Sequence, residues 1–312
     1  MFGRRLSLPW VVVAVLVTSA ALAGQSLPYT DNDLGMHRVA SDVYVFTYAD
    51  PKSTDPRQTT TSLVVVTPEG VLVGDGQGSD LATQKLIDEI RNITSQPIKY
   101  LISSSPHGDH TNGNHLFKGA TIISQRGARE EMLATYKNQP ANSTLIPAPP
   151  TVVYDRSMSI FLGGKEIRLG FYGRAHTRCD TVIYLPSDRL LFLSEIFFNP
   201  KQLLGLRTGY ATEWIATLNE IAKLDADIFI PGHGIVEDNG RMRPQFIQMR
   251  DQLIDMRNEI KGYVDRGLTL EQINKMSPLK KYASLIRADL LLGPAVERIY
   301  KDLKGELDKP SN

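Results

Sequence analysis

The feature that most constrains this chain is the hexapeptide SPHGDH at residues 105–110, which follows directly on a short apolar segment. Residues 98–102 are apolar and β-prone, a composition typical of a buried strand. The hexapeptide then lies at the carboxyl end of that strand, where α/β proteins place ligand sites. His107, Asp109 and His110 are ligand types of a hydrolytic zinc site, because they hold the ion and leave a position open for water. The segment therefore predicts a metal site on an α/β scaffold.

Side chains of the same kind lie at the ends of other predicted strands. His176 precedes one apolar run, Glu195 ends another, and His233 follows a third within a PGHG turn. Four of the six histidines lie on such turns, whereas His37 and His115 are interpreted as ordinary polar groups of the fold. A strand followed by a ligand-bearing turn, repeated along the chain, is how a sheet brings distant side chains to one point. We therefore expect the ligands to be His107, Asp109, His110, His176, Glu195 and His233.

The surrounding pattern predicts a sheet followed by helices. Residues 62–66 and 71–75 are β-branched runs separated by a Pro/Gly turn, which predicts a buried hairpin. A helix is expected from about Leu81 to Ile93. In the last 70 or so residues an apolar stripe from Phe246 to Val264 predicts a long amphipathic helix whose Met and aromatic residues pack in the core. Thr269 with Gln272 predicts a capping box at the start of a shorter helix.

Composition excludes some classes of function. The chain has 312 residues, 42% hydrophobic and 22% charged, with a formal net charge of +1. This composition is that of an ordinary globular protein. The near-neutral net charge gives no sign of the basic surface that binds nucleic acid or an anionic membrane. We expect a small-molecule substrate; the oligomeric state is left open.

The amino terminus predicts export. Arg4 and Arg5 precede an apolar stretch and the Ala-x-Ala pattern ending at Ala23. Residues 1–23 therefore read as a cleaved signal peptide, with an uncleaved membrane anchor as the alternative. Export to the periplasm or medium, with no stable membrane insertion after cleavage, is expected. The single cysteine, Cys179, cannot form an intramolecular disulfide, so the core alone must hold the fold.

These motifs resemble the metallo-β-lactamase superfamily in order and spacing from about residue 43 to residue 236. The matching positions are HGDH at 107–110, the turn with His176, the strand ending at Glu195, and PGHG at 231–234. The resemblance implies an α/β fold, a four-layer αβ/βα sandwich at residues 24–240, in an exported bacterial member of the family. It also implies a C-terminal helical extension at residues 241–312, packed on that domain.

The resemblance also implies two metal positions. By matching position, the first takes Ser105, His107 and His176, the second takes Asp109, His110 and His233, and Glu195 bridges them. Ser105 stands where a histidine is usual and Glu195 where an aspartate is usual, and a neutral hydroxyl is a poor zinc ligand. We therefore predict one zinc ion held tightly at the second site and a weak or empty first site, although the ligand types also admit iron or manganese. Cys179 could complete the first site, but a small buried residue is the favoured interpretation.

The implied chemistry is hydrolysis. Zinc lowers the pKa of a bound water to about 7, and the resulting hydroxide attacks an electrophile. Asp109 is the expected catalytic residue, orienting the nucleophile and carrying a proton to the leaving group. Candidate substrates are a small ester, lactone, thioester or β-lactam. The alternatives are a periplasmic accessory protein of quinoprotein alcohol oxidation and a non-catalytic binding protein with a degenerate metal site.

Overall fold

A computed structural model describes residues 27–51 and 53–308. The predicted signal peptide at residues 1–23 lies outside this part of the chain. Across the two described ranges, no helix is both long and apolar enough to cross a membrane. The described residues form two β-sheets flanked by α-helices.

The first sheet contains the strands that precede and follow the SPHGDH segment. Its strands, adjacent in chain order, are β1 (Gly35–Ala40), β2 (Val43–Tyr48), β3 (Thr60–Thr67), β4 (Gly70–Gly74), β5 (Ile98–Ser103), β6 (Thr121–Gln125) and β7 (Val152–Tyr154). Neighbours from β1 to β4 are antiparallel and those from β4 to β7 are parallel. The hairpin β3–β4 confirms the prediction from the two β-branched runs, whereas β1 was not predicted.

Helices connect the parallel strands of this sheet. They are α1 (Asp80–Ile93), the single turn α2 (Gly108–Thr111) and α3 (Arg126–Lys137). Ser79 caps α1, because its hydroxyl accepts a hydrogen bond from the backbone N–H of Ala82. The start of α1 thus agrees with the prediction, while the predicted ligand turn after β5 contains the short helix α2.

The second sheet carries the downstream ligand turns. Its strands are β8 (Ser157–Leu162), β9 (Lys165–Gly170), β10 (Val182–Leu185), β11 (Leu190–Phe192) and β12 (Ile228–Ile230), in the order β12-β11-β10-β9-β8. Only the pair β11–β12 is parallel, and α4 (Ala211–Ile221) connects these two strands. This arrangement places the carboxyl ends of β11 and β12 side by side.

The two sheets face each other across an apolar core. Residues of both sheets form one buried cluster that includes Leu63, Leu72, Ile183 and Phe192. A second cluster packs α1 on the outer face of the first sheet, and a third packs α4 and the C-terminal helices on the outer face of the second. The layer order is therefore helix, sheet, sheet, helix, which confirms the predicted αβ/βα sandwich.

The C-terminal segment is helical. It contains α5 (Arg243–Val264), α6 (Leu270–Lys275) and α7 (Ala288–Leu303). The capping box of α6 is confirmed, since Thr269 and Gln272 each accept a hydrogen bond from the other's backbone N–H. Helix α7 was not predicted, because Gly293 and Pro294 lie inside it and such residues normally mark a helix end.

The C-terminal helices share a core with the sandwich. Phe246 of α5 and Leu291 of α7 belong to the same buried cluster as Trp214 of α4 and Leu191 of β11. The extension therefore packs directly on the second sheet, while the domain boundary at residue 240 stays a prediction.

Candidate metal centre

The predicted ligands converge at the edge where strands of both sheets end. His107, Asp109 and His110 follow β5, His176 lies between β9 and β10, Glu195 follows β11, and His233 follows β12. In the described residues they form two overlapping groups of possible ligand atoms, each within 4.8 Å. One group contains His107, His176 and Glu195; the other contains Asp109, His110, Glu195 and His233. The structure thus brings together all six side chains selected from the sequence.

A glycine lets two of the ligand turns approach closely. Gly232, beside His233, donates its backbone N–H to the carbonyl of Ser194 at 2.8 Å. A Cβ atom on Gly232 would lie 2.4 Å from the carbonyl carbon of Ser194, a distance that no side chain tolerates. The PGHG turn therefore needs glycine here to place His233 beside Glu195.

In the larger group, the ring nitrogens of two histidines face each other. Nε2 of His110 lies 3.3 Å from Nε2 of His233, which in turn lies 3.4 Å from Oε1 of Glu195 and 3.5 Å from Oδ2 of Asp109. Nitrogen ligands at 2.0–2.1 Å from a tetrahedral zinc ion are about 3.3 Å apart. The spacing of these atoms therefore fits shared ligation of one divalent ion.

The opposite ring nitrogen of each histidine is already engaged. Nδ1 of His110 donates to Oδ2 of Asp75 at 2.9 Å, and Nδ1 of His233 donates to the carbonyl of Thr59 at 2.6 Å. Because carboxylate and carbonyl oxygens only accept, both rings carry a proton on Nδ1. Such outer partners fix the tautomer and orientation of metal-ligating histidines.

This arrangement requires a cation between the two rings. If both were neutral, the Nε2 lone pairs of His110 and His233 would point at each other across 3.3 Å. A proton on one ring or a metal ion resolves the conflict. Both side chains are almost fully buried, so water cannot screen them. The donor set therefore fits a divalent metal ion.

In the smaller group, His176 is oriented in the same way as His110 and His233, and His107 is oriented differently. Nδ1 of His176 donates to the carbonyl of Gly205 at 2.8 Å, and its Nε2 lies 3.2 Å from Oε1 of Glu195. His107 approaches the same carboxylate through Nδ1, 2.8 Å from Oε2. Oε1 of Glu195 thus faces both groups, which is the geometry of a bridging ligand.

Ser105 is fully buried at the position where the family's additional histidine is usual. Its hydroxyl donates to Oε2 of Glu195 and accepts the backbone N–H of His107 at 3.2 Å. The serine therefore orients Glu195.

The electrostatics follow from this clustering of buried charges. Burial alone would lower the pKa of His110, but the facing carboxylates, chiefly Asp75, raise it to about 10. Burial likewise opposes the charge on His107, whose pKa is raised to about 9, chiefly by Glu195. Burial would raise the pKa of Glu195, but the surrounding imidazoles hold it well below its ordinary value. The metal-free centre therefore holds protons where a metal ion would supply positive charge.

Cys179 is not among the possible ligands. Its side chain is fully buried, and its closest polar partners are the Thr177 hydroxyl at 3.5 Å and a Glu131 oxygen at 3.7 Å. Burial raises the pKa of the thiol well above its ordinary value. The structure thus agrees with the interpretation of Cys179 as a small buried residue.

Sequence reasoning missed Gln58, which contacts the centre. Its amide nitrogen donates to Oδ2 of Asp109 at 2.6 Å, and both residues line a cavity of about 490 Å³ at the start of α1. The Asp109 side chain is 31% exposed, whereas His110, Glu195 and His233 of the same group are buried. No sequence motif marks Gln58, which lies in the connection between β2 and β3.

The fold and these donors define a metal-binding protein of the αβ/βα sandwich class. A family model described as the metallo-beta-lactamase superfamily matches residues 54–233, more than half of the chain. The protein belongs to the metallo-β-lactamase superfamily.

Individual relatives are distant. The chain is 21% identical over 255 residues to a linear primary-alkylsulfatase of a Pseudomonas species, covering 67% of this chain and 48% of that protein. It is 22% identical over 217 residues to a type 2 metallo-beta-lactamase of Elizabethkingia meningoseptica, covering 69% and 82%. A solved metallo-beta-lactamase from Pontibacter korlensis superposes with a TM-score of 0.59 at 20% identity, covering 70% and 99%. The chain thus spans about half the length of the alkylsulfatase that it matches.

Proposed function

We propose that this protein is an exported, zinc-dependent hydrolase of a small ester, lactone, thioester or β-lactam. The observation that supports it best is the set of three histidines whose Nδ1 atoms are engaged, while their Nε2 atoms converge on carboxylate oxygens. In each group the inward-facing atoms lie within 4.8 Å of one another, so a metal ion can replace the protons that balance the buried charges of the metal-free centre. Membership of a family with many hydrolases supports the same conclusion.

The proposed ligands divide between two positions. Asp109, His110 and His233 would hold the first ion, and Glu195 would be shared with a weaker position at His107 and His176. The weaker position has Ser105 in place of a third histidine, and the Ser105 hydroxyl donates to Glu195. When bound, a divalent ion supplies a Lewis acid and lowers the pKa of water to about 7.

Asp109 is the proposed catalytic residue. Its carboxylate is the most exposed acid of the larger group and borders the cavity that extends to Gln58. A carboxylate in this position can accept the proton of the attacking water and deliver it to the leaving group. The buried histidines hold their orientation through their outer hydrogen bonds, and their burial excludes bulk water from the far side of the centre.

The test combines metal content with turnover. Mature protein purified without chelator is expected to contain about one zinc ion per chain and to lose all hydrolysis when a chelator removes it, with recovery on zinc addition. Asp109→Asn is expected to lower the rate about 10²–10⁴-fold. A hydrolysis rate insensitive to chelation would overturn the proposal. A chain that binds no zinc even when supplied would favour the non-catalytic binding protein.

A sulfate ester is a second candidate substrate class. The alignment with the alkylsulfatase over 255 residues favours including it. Primary alkyl sulfates should therefore be assayed beside β-lactams, lactones and thioesters, under identical zinc loading. Turnover of the sulfate alone would replace the acyl substrates in the proposal and leave the metal-dependent hydrolysis unchanged.

A further inference from the structure

A chain of hydrogen bonds connects Asp109 to the C-terminal extension. Gln58 donates from Nε2 to Oδ2 of Asp109 at 2.6 Å, and its Oε1 accepts from Nη2 of Arg287 at 2.9 Å. Arg287 directly precedes α7. The same Oδ2 atom of Asp109 faces Nε2 of His233 at 3.5 Å, so the chain ends on the oxygen that points into the centre.

The arginine determines which way the Gln58 amide points. A guanidinium group donates and never accepts, so only the oxygen of the amide can face Arg287. The NH₂ group must then face Asp109, which as a carboxylate only accepts. A free glutamine could turn its oxygen towards Asp109 and repel it. Arg287 prevents that orientation.

Arg287 is itself held in place. Its Nε donates to Oδ2 of Asp55 at 2.8 Å, and its side chain is only 13% exposed. Asp55 also binds Nε of Arg57 at 2.9 Å, and Arg57 reaches Asp289 at the start of α7, also at 2.9 Å. Arg287 adopts a left-handed backbone conformation with φ of 64°, which non-glycine residues rarely adopt. The connection between β2 and β3 is thus bound to α7 at two points.

Arg298, within α7, reaches the smaller group of candidate ligands. Arg298 donates to the carbonyls of Thr208 and Gly209 at 2.8 Å and 2.6 Å. The Thr208 hydroxyl donates to the carbonyl of His176 at 2.9 Å and lies 3.4 Å from Nε2 of His107. Arg298 therefore holds the loop that covers the smaller group of ligands.

We propose that α7 is a component of the metal centre, in which Arg287 positions Asp109 through Gln58 and Arg298 positions the loop over His107 and His176. This inference rests on the proposed metal site and assigns the C-terminal helix a role in it. Both arginines are positioning residues, since neither contacts a ligand-binding atom directly. Residues of this outer kind commonly change metal affinity by about 10–100-fold when they are replaced.

The test measures zinc affinity at each group separately, by competition with a chromophoric chelator. His176→Ala leaves the larger group to be measured, and His110→Ala leaves the smaller one. In the His176→Ala background, Arg287→Gln is expected to raise the zinc Kd of the larger group about 10–100-fold. In the His110→Ala background, it is expected to change the zinc Kd of the smaller group less than about twofold. Arg298→Gln is expected to show the reverse preference. Lys301→Gln is the matched control, because Lys301 is on α7 but pairs with Glu297 at the surface.

A double-mutant cycle distinguishes positioning through Gln58 from general destabilisation. Gln58→Leu is expected to weaken the larger group as much as Arg287→Gln, and the double variant no further, because both break the same chain. Additive losses, or a folded Arg287→Gln protein with unchanged affinity for zinc, would overturn the proposal. If Arg287→Gln fails to fold, Gln58→Leu leaves the ion pair with Asp55 in place and tests the same contact.

The readout is binding, so it separates this proposal from that of hydrolysis. If the wild-type protein binds zinc but hydrolyses none of the substrates, the proposed hydrolase function is wrong and the proposed role of α7 in zinc binding is unaffected. A wild-type protein that binds no zinc would overturn both.

Discussion

Replacing Asp75 by asparagine should weaken metal binding without unfolding the protein. Oδ1 of Asp75 accepts the backbone N–H of Ser104 at 2.7 Å, and Oδ2 accepts from Nδ1 of His110 and from the hydroxyl of Ser194. The residue is fully buried and has a φ of 61°, a conformation that asparagine tolerates well. The backbone should therefore stay as it is.

The amide can hydrogen-bond to all three partners in only one orientation. Its oxygen must face the N–H of Ser104, and its NH₂ group must face His110 and the rotatable hydroxyl of Ser194. Nδ1 of His110 then has to accept, so the ring proton moves to Nε2, the atom that faces His233. The imidazole keeps its place but presents a proton where the metal needs a lone pair.

The expected loss of zinc affinity at the larger group is about 10–100-fold, or about 1.4–2.7 kcal/mol. The variant removes the carboxylate that chiefly stabilises protonated His110, and it leaves the buried Ser194 hydroxyl proton without its acceptor. The free energy of unfolding of the metal-free protein should therefore fall by about 1–3 kcal/mol. Chelator competition measures the first quantity and urea denaturation the second. In a His110→Ala background, Asp75→Asn should have no further effect on zinc binding. Wild-type affinity in a folded Asp75→Asn protein would refute this account of His110.

Three further predictions follow from the same geometry. Because His107 and His110 have pKa values raised to about 9 and about 10, both hold protons near pH 7 in the metal-free protein, and zinc must displace them. The affinity for zinc should therefore rise with pH up to about pH 9–10, and zinc binding should release protons. Calorimetry in buffers of different ionisation enthalpy measures this release, and proton uptake would contradict the prediction. Cys179→Ala should leave the zinc content unchanged, and loss of a zinc ion in this variant would show that Cys179 is a ligand. In the native protein the thiol should resist alkylation, because it is buried and its pKa is raised. Trp214→Ala should lower the free energy of unfolding by about 3–5 kcal/mol, because the indole is fully buried and its ring centre lies 5.5 Å from that of His176. Urea denaturation measures this loss. A loss below about 1 kcal/mol would show that neighbouring side chains fill the space left by the indole.

The sandwich was predicted from the resemblance to the family, and the candidate ligands were selected from local patterns. β-branched runs such as residues 62–66 mark buried strands, and metal-ligating side chains directly after such runs mark strand ends. The strand β1 was missed because its alternation is weak. Helix α7 was missed because the Gly293-Pro294 pair conceals apolar spacing at Leu291, Ala295 and Ile299.

The outer contacts of the centre could not be predicted in this way. Gln58 and Arg287 are 229 residues apart, and nothing in either neighbourhood indicates that they meet. The partner of His176 is the backbone carbonyl of Gly205, a group that every residue carries and that no sequence pattern marks. Local patterns therefore selected the candidate ligands, whereas the groups that orient them are determined by tertiary packing.

The donors of the centre come from both sheets, and this has a mechanical consequence. Asp109 and His110 follow a strand of the first sheet, while Glu195 and His233 follow strands of the second. An ion held by His110 and His233 would cross-link positions 123 residues apart and close a long loop of chain. A ligand that binds only the folded state stabilises that state by about 4 kcal/mol when its free concentration is a thousand times its Kd. Zinc would thus fasten the two sheets together, and its removal would lower the resistance of the whole sandwich to unfolding.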